Sequence, residues 1–400
     1  VVFDLLDGLM HEARVPVLRL TETFADHPIW RAGLAAALED LLRELALLGD
    51  NLRLVRERLE TDEQALEAQA ALLGELRGVS RRLDNAGDAL REGLTPAGKH
   101  PTVRWLEVRG KERNLAVTSV PLDLAPILRE DLFKRLETAI VTSATLSTDG
   151  KFDFVRARLG LTEDDVEPET QVFPSPFDYP SQAMLAVPTD IPAPNVDPRG
   201  HFEAVVDAIA EVAHAAGGGV FALFTSHRDV REAAQVLRER GVDQRFPLMV
   251  HGEDGRAALL RRFTDAGHAI LLGTSSFWEG VDVPGDPLRA LVLSKLPFKV
   301  PTEPLTAAHC EAIASRGGDP FREYMIPHAA LRLKQGFGRL IRTATDQGVV
   351  VLMDPRAESK PFGRELVEGL PPARRVIAPW SEVAREITRF YARPGKPKLG

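Results

Sequence analysis

The chain has 400 residues, 44% of them apolar, and sets 50 Lys and Arg against 58 Asp and Glu for a net charge of −8. The apolar share excludes wholesale disorder, the length predicts two or three domains, and the net charge alone does not mark a nucleic-acid binder. A single cysteine, Cys310, excludes an internal disulfide, a multi-cysteine zinc site and a four-cysteine iron–sulfur site, and the apolar runs fall far short of the roughly 18 residues of a membrane span.

No basic-then-apolar signal segment opens the chain, so a cytoplasmic protein without a membrane anchor is expected. The sequence starts at Val1, in mid-pattern, and reads as the C-terminal piece of something longer. Residues 1–100 carry 12 basic and 18 acidic residues, so most of the acidic excess lies there. In that quarter Leu34, Leu38, Leu41, Leu45, Leu48, Leu52, Val55 and Leu59 alternate spacings of four and three, the a/d seam of a long helix. Leu66, Leu73, Leu76 and Leu83 make a second set, with Thr61 and Gln64 as a capping box at its start. The prediction is an all-α helical hairpin or small bundle over 1–100, left through a loop rich in Gly and Pro.

From about 101 the pattern changes to short apolar runs, at 103–108, 139–142, 220–224, 269–272, 290–293 and 349–353. Helical segments are predicted near 200–215, 228–240, 255–265, 326–342 and 380–391. Unbroken apolar strands alternating with helices imply an α/β fold, a parallel sheet covered on both faces. Ligands of such sheets bind at the carboxyl ends of the strands. The stretch Gly93-Leu94-Thr95-Pro96-Ala97-Gly98-Lys99-His100 fits seven places of a phosphate-binding P-loop, but His100 stands where a Mg²⁺-holding Ser or Thr belongs. No buried strand precedes it, so it reads as a linker.

Polar residues follow several of the runs. Thr142-Ser143-Ala144-Thr145 ends the run at 139–142, as hydroxyl residues end many strands. After 220–224 come Thr225 and Ser226, and Ser226 with Asp229 resembles a helix cap whose free N–H groups could also take an anion. After 269–272 comes Thr274-Ser275-Ser276-Phe277-Trp278-Glu279-Gly280-Val281-Asp282, a loop too polar and Gly-rich to be packing alone, although each aromatic taken singly suits a core. In the helix predicted near 326–342, Gln335, Gly338, Arg339 and Arg342 share a face. Gly336 and Gly338 cost about 1 kcal/mol each in a helix and suggest close approach by another group. Arginine suits phosphate through its fixed charge and planar fork; the plain alternative is a solvated face.

Taken together, Ser143-Ala144-Thr145, the loop 274–285 and Gln335–Arg342 resemble motifs III, V and VI of superfamily 2 helicases, in that order and at similar separations. Their wording is similar to the DinG branch, bacterial relatives of XPD, as are Ser175-Pro176-Phe177 and Lys295-Leu296-Pro297-Phe298. The resemblance implies an ATP-dependent DNA helicase moving 5′ to 3′ on single-stranded or forked DNA in repair or replication, a motor working as a monomer. It implies an arch-like insertion at 1–100, the end of a first RecA-like lobe at 101–158 and a second RecA-like lobe at 159–400. Arg339 and Arg342 would then reach the γ-phosphate as catalytic groups, and Gln335 would help sense the nucleotide. Glu279, Gly280, Asp282 and Gly338 would line the nucleotide, and Ser143, Thr145, Thr225, Ser226, Thr274 and Ser275 would grip or couple to nucleic acid. ATP and Mg²⁺ would be held mainly by a first lobe that this sequence lacks, and a 4Fe-4S cluster would belong to cysteines before Val1. Competing readings are a nucleic-acid-binding relic without catalysis and an RNA-directed helicase.

Overall fold

The structure, a computed structural model, describes all residues except 62–69, 96–100, 111–112, 144, 148–149, 163–167, 275–276, 278–286 and 393–400. The chain divides into two compact units, 1–131 with 300–318, and 132–299 with 319–400.

In the first unit, α1 (Val2–Ala13), β1 (Val17–Leu20), α2 (Ala35–Glu60), α3 (Ala70–Leu94), β2 (Thr102–Arg109), β3 (Asn114–Pro121) and α4 (Ala125–Asp131) are joined by α9 (Pro304–Ser315). The seam of Leu34 to Leu59 forms α2, which packs against α3. Ion pairs Arg77–Glu60 (2.6 Å) and Arg53–Asp84 (3.3 Å) fix the helices as antiparallel. Leu34, Leu38 and Leu94 are buried at the base with Leu6, Leu20 and Leu106, whereas Leu48 and Val55 of the seam are about half exposed farther along (49% and 48%). The strand expected at 103–108 is β2, but it pairs antiparallel with β1 and with β3 and joins no parallel sheet. Arg19 on β1 grips Glu311 on α9 through two hydrogen bonds of 2.7 and 2.8 Å, and this pairing holds the Glu311 carboxyl below its usual value.

The second unit contains α5 (Asp153–Leu159), β4 (Ala183–Pro188), α6 (Pro198–Ala216), β5 (Val220–Phe224), α7 (His227–Glu239), β6 (Leu248–Val250), α8 (Arg256–Ala266), β7 (Ile270–Thr274) and β8 (Ala290–Leu293). After the excursion to α9 it continues with α10 (Ile326–Leu340), β9 (Gly348–Leu352), α11 (Pro361–Glu368), β10 (Arg374–Ala378) and α12 (Trp380–Ala392). Seven of these strands make one parallel sheet in the order β10-β4-β9-β8-β5-β7-β6. Alternate residues feed two cores: Val220, Ala222 and Phe224 meet α6, α7 and α12, while Phe221 and Leu223 meet α8, α10 and α11. This is the parallel sheet covered on both faces by helices that the apolar runs predicted. Gly218 lets the chain enter β5, because at φ +88° a Cβ there would lie 2.0 Å from the His268 carbonyl oxygen. The run at 139–142 is not a strand. It finds no ladder partner among the described strands and leaves Ile140 86% exposed.

Two buried polar side chains tie the sheet to its surroundings. Gln182, 4% exposed, donates through Nε2 to the carbonyls of Thr343 and Asp346 (2.9 Å each) and accepts from the Asp178 N–H (3.0 Å). His201 on α6 meets the Met353 carbonyl at 2.7 Å, and burial pushes its pKa down. We expect Gln182→Ala to lower the urea stability of this unit by about 2–3 kcal/mol, since it strands buried backbone groups; a loss under about 0.5 kcal/mol would refute this role. The depressed pKa of His201 means that folding favours its neutral form. Its contribution is fully present above the unfolded value near 6.5 and is lost as pH falls through the lower folded value. The Tm drop between pH 7.5 and pH 5 should therefore be smaller in His201→Gln than in the unaltered chain, as calorimetry at the two pH values would show.

Candidate nucleotide and nucleic-acid interface

The helix α10 forms because Ile326, Ala329, Leu333, Phe337 and Leu340 recur at helical spacing and are buried against the sheet. Its other face carries Gln335 and Gly338, both exposed, and Arg339, half-buried. The helix ends at Leu340, two residues earlier than predicted, so helical spacing does not place Arg342. The cause is Asp346, whose carboxylate accepts the backbone N–H groups of Arg342 and Thr343 (2.8 Å each) and the Thr343 hydroxyl (2.6 Å). Arg342 nevertheless stays beside Arg339, its Nε 3.4 Å from the Arg339 carbonyl. Gln182 holds the same turn from beneath, so the buried amide positions Arg342 from the start of β4.

Burial, and then the nearby Arg256 guanidinium, pull the pKa of Arg339 down. Arg339 remains charged near neutral pH, as guanidinium groups do. Arg256 opens α8, donates to the Phe277 carbonyl at 3.1 Å and lies over the Phe277 ring, 5.5 Å from its centre. A Cβ at Gly338 would meet nothing within 4 Å, so packing within this chain does not demand glycine there.

The hydroxyl segment after 142 lies beside this helix. Lys334 Nζ donates to the Ser147 carbonyl at 2.9 Å. Ser143 and Thr145, both described, hydrogen-bond each other: the hydroxyls are 3.2 Å apart, and the Thr145 N–H reaches Ser143 Oγ at 3.2 Å.

A second group gathers at the carboxyl ends of the neighbouring strands β5, β7 and β6. Thr225 is exposed, and Ser226 caps α7, accepting the Asp229 N–H at 3.0 Å as the capping-box reading predicted. Thr274 is buried (5% exposed), with its hydroxyl 3.2 Å from His251 Nδ1. The ring of His251 lies 4.6 Å from that of His227 and 4.7 Å from that of Phe277. Ser275, Glu279, Gly280 and Asp282 lie outside the described residues.

His227, His251 and Arg256 escaped the sequence reading. The three-residue strand β6 is too short to register as an apolar run, so nothing drew attention to the residue that follows it. Asp354, fully buried after β9, was also missed. Its carboxylate accepts Arg356 Nη2 at 2.7 Å and the Leu296 N–H at 2.9 Å, tying the exits of β8 and β9 together. Among the described residues, no group of three or more His, Cys, Asp or Glu could hold a metal, and no helix is long and apolar enough to cross a membrane.

Residues 209–373 match the family model described as helicase C-terminal domain. The chain is 39% identical over 290 residues to "ATP-dependent DNA helicase YoaA" of Escherichia coli, a match covering 72% of this chain and 43% of that protein. It is 39% identical over 272 residues to "ATP-dependent helicase DinG" of Mycobacterium tuberculosis, covering 68% and 40%. It thus spans less than half the length of these relatives. The solved structure "XPD_APO" shares the fold with a TM-score of 0.50 at 17% identity, over 79% of this chain and 62% of that one. The covered parallel sheet and these matches agree: the chain carries a helicase C-terminal domain and is similar over about 70% of its length to the DinG and YoaA helicases.

Proposed function

We propose that the chain supplies the arginine-finger half of the ATP site of a DNA helicase, and part of the track that single-stranded or forked DNA follows. The observation that carries this reading is the pairing of Arg339 and Arg342 at the end of α10, with Arg256 close by. Three cations gathered at one place fit the triphosphate end of ATP, where guanidinium groups stabilise charge in phosphoryl transfer. Gln335 and Gly338 lie on the same exposed face, open to a nucleotide presented by another lobe. The described residues offer no group of ligands for Mg²⁺, and the match to a P-loop at 93–100 runs outside them. The phosphate-holding half of the site is therefore assigned to a first motor lobe. On this reading residues 1–100 are the arch-like insertion, 101–158 the end of the first lobe and 159–400 the second lobe. Glu279, Gly280 and Asp282 couple nucleotide to movement, while Ser143, Thr145, Thr225, Ser226, Thr274 and Ser275 meet the phosphate backbone. Movement runs 5′ to 3′, in the cytoplasm, by a single copy. Any 4Fe-4S cluster needs cysteines outside residues 1–400, since Cys310 is the sole thiol here.

Arg342→Ala in the full-length protein should lower DNA-stimulated ATP turnover at least about a hundredfold, the scale of a lost transition-state cation, with DNA binding nearly unchanged. Turnover equal to the unaltered enzyme would overturn the assignment. Residues 1–400 alone should hydrolyse ATP negligibly, and robust turnover by this purified chain would place the whole site within it. Unwinding of matched DNA and RNA duplexes decides the substrate, with DNA the expected one.

A further inference from the structure

Three adjacent strands end in residues that meet one another: His227 beyond β5, His251 beyond β6 and Thr274 at the end of β7. The two imidazoles lie 4.6 Å apart, and His251 Nδ1 is 3.2 Å from the Thr274 hydroxyl. From this juxtaposition we propose that His227 and His251 form a proton-dependent contact for the phosphodiester backbone of single-stranded DNA, so that binding takes up a proton and tightens as pH falls. The proposal rests on the reading that this edge of the sheet meets nucleic acid, and adds residues to which no motif of that reading assigns a role.

The charged neighbours support it from each packed element. His251 faces Arg256 on α8, and on α7 the acidic residue of the first turn is Asp229, whose carboxylate is the acid closest in sequence to His227. Of the carboxylates that follow His251, Glu253 is paired with Arg238 (2.8 Å) and Asp254 with Arg262 (2.6 Å). Among the described residues, burial and then His227 and Arg256 act on His251, and all three pull its pKa down. Near neutral pH, His251 is therefore held in its neutral form. A bound phosphate reverses that balance, because an anion beside an imidazole favours the charged form. Protonation also changes the Thr274 contact. With a proton on Nδ1 the ring donates to the hydroxyl oxygen, and the hydroxyl proton turns away from the ring. Charge and hydrogen-bond direction then change together at the place where Thr225 and Ser226 end β5.

The experiment is fluorescence anisotropy of a labelled oligothymidylate with the 400-residue chain at pH 6, 7 and 8 and constant ionic strength. For each pKa raised by one unit on binding, affinity should improve up to about tenfold between the ends of that range. The variants His227→Asn, His251→Asn and the double variant are compared by the ratio of their affinities at pH 6 and pH 8. They should lose the improvement at pH 6, the double variant most completely. Circular dichroism at both pH values checks that each variant is folded. A pH profile unchanged in the double variant would overturn the histidine contact while leaving the DNA-binding reading intact. If the unaltered chain bound no oligothymidylate at any of the three pH values, that reading and this inference would both fall.

Discussion

A parallel sheet buried on both faces leaves polar side chains only the ends of its strands, and the second unit is organised by that constraint. Val220 to Phe224, Ile270 to Leu272 and Val349 to Leu352 are apolar at every position because alternate residues enter alternate cores. The hydroxyls, imidazoles and guanidiniums therefore collect where the strands stop: Thr225 and Ser226, His251, Thr274, and Asp354 with Arg356. Their closeness follows from pairing as well as from sequence. His251 and Thr274 stand 23 residues apart and meet because β6 lies beside β7. Asp354 shows what the edge requires. A fully buried carboxylate is tolerable only when every oxygen is paired, and Arg356 and the Leu296 N–H supply the partners, keeping it charged and its pKa low.

The net charge of −8 is no obstacle to phosphate recognition at this edge. Field strength at a site is set within about one Debye length, roughly 8–10 Å in ordinary salt. Arg256 acts on Arg339 and Arg342 reaches the Arg339 carbonyl, while much of the acidic excess belongs to the first 100 residues. Desolvation makes the arrangement matter more. A guanidinium partly removed from water, as Arg339 is, interacts more strongly with an anion than an exposed one and is costlier to leave without one. The same reasoning gives little weight to the many exposed ion pairs elsewhere, such as Arg199–Glu203 and Arg322–Asp319, whose attraction water and salt screen.

Much of this was legible from the pattern of residues. The runs at 220–224 and 290–293 are β5 and β8, and the predicted helices correspond to α6, α7, α8, α10 and α12 within a few residues. The seam of Leu34 to Leu59 is one helix. What escaped was decided by partners distant in sequence. Strand β1 exists because β2 offers it a ladder, and residues 139–142, apolar and β-prone, form no strand and pair with none of the described ones. The motif residues of α10 were visible, but the early end of that helix was not. It depends on one Asp346 carboxylate capturing two backbone N–H groups, and on Gln182 reaching across from the start of β4. A helical projection would have aimed Arg342 by rotation about the axis; the actual placement comes from the turn.

That turn links packing to chemistry. Gln182 is buried, touches no proposed ligand-binding side chain, and holds the two carbonyls that flank the loop after Arg342. Tyr179, three residues before it, packs against Phe337 of α10 with ring centres 5.9 Å apart. The segment 178–182 therefore clamps α10 from its buried side while Lys334 holds Ser147 from another. A rigid clamp matters for an arginine finger because the stabilisation it gives depends on placement within a fraction of an ångström, and a side chain as long as Arg cannot supply that order alone. The backbone of Arg342 is fixed by Asp346, the Thr343 carbonyl by Gln182 and the Arg342 Nε by the Arg339 carbonyl, so the turn orders the root of this side chain.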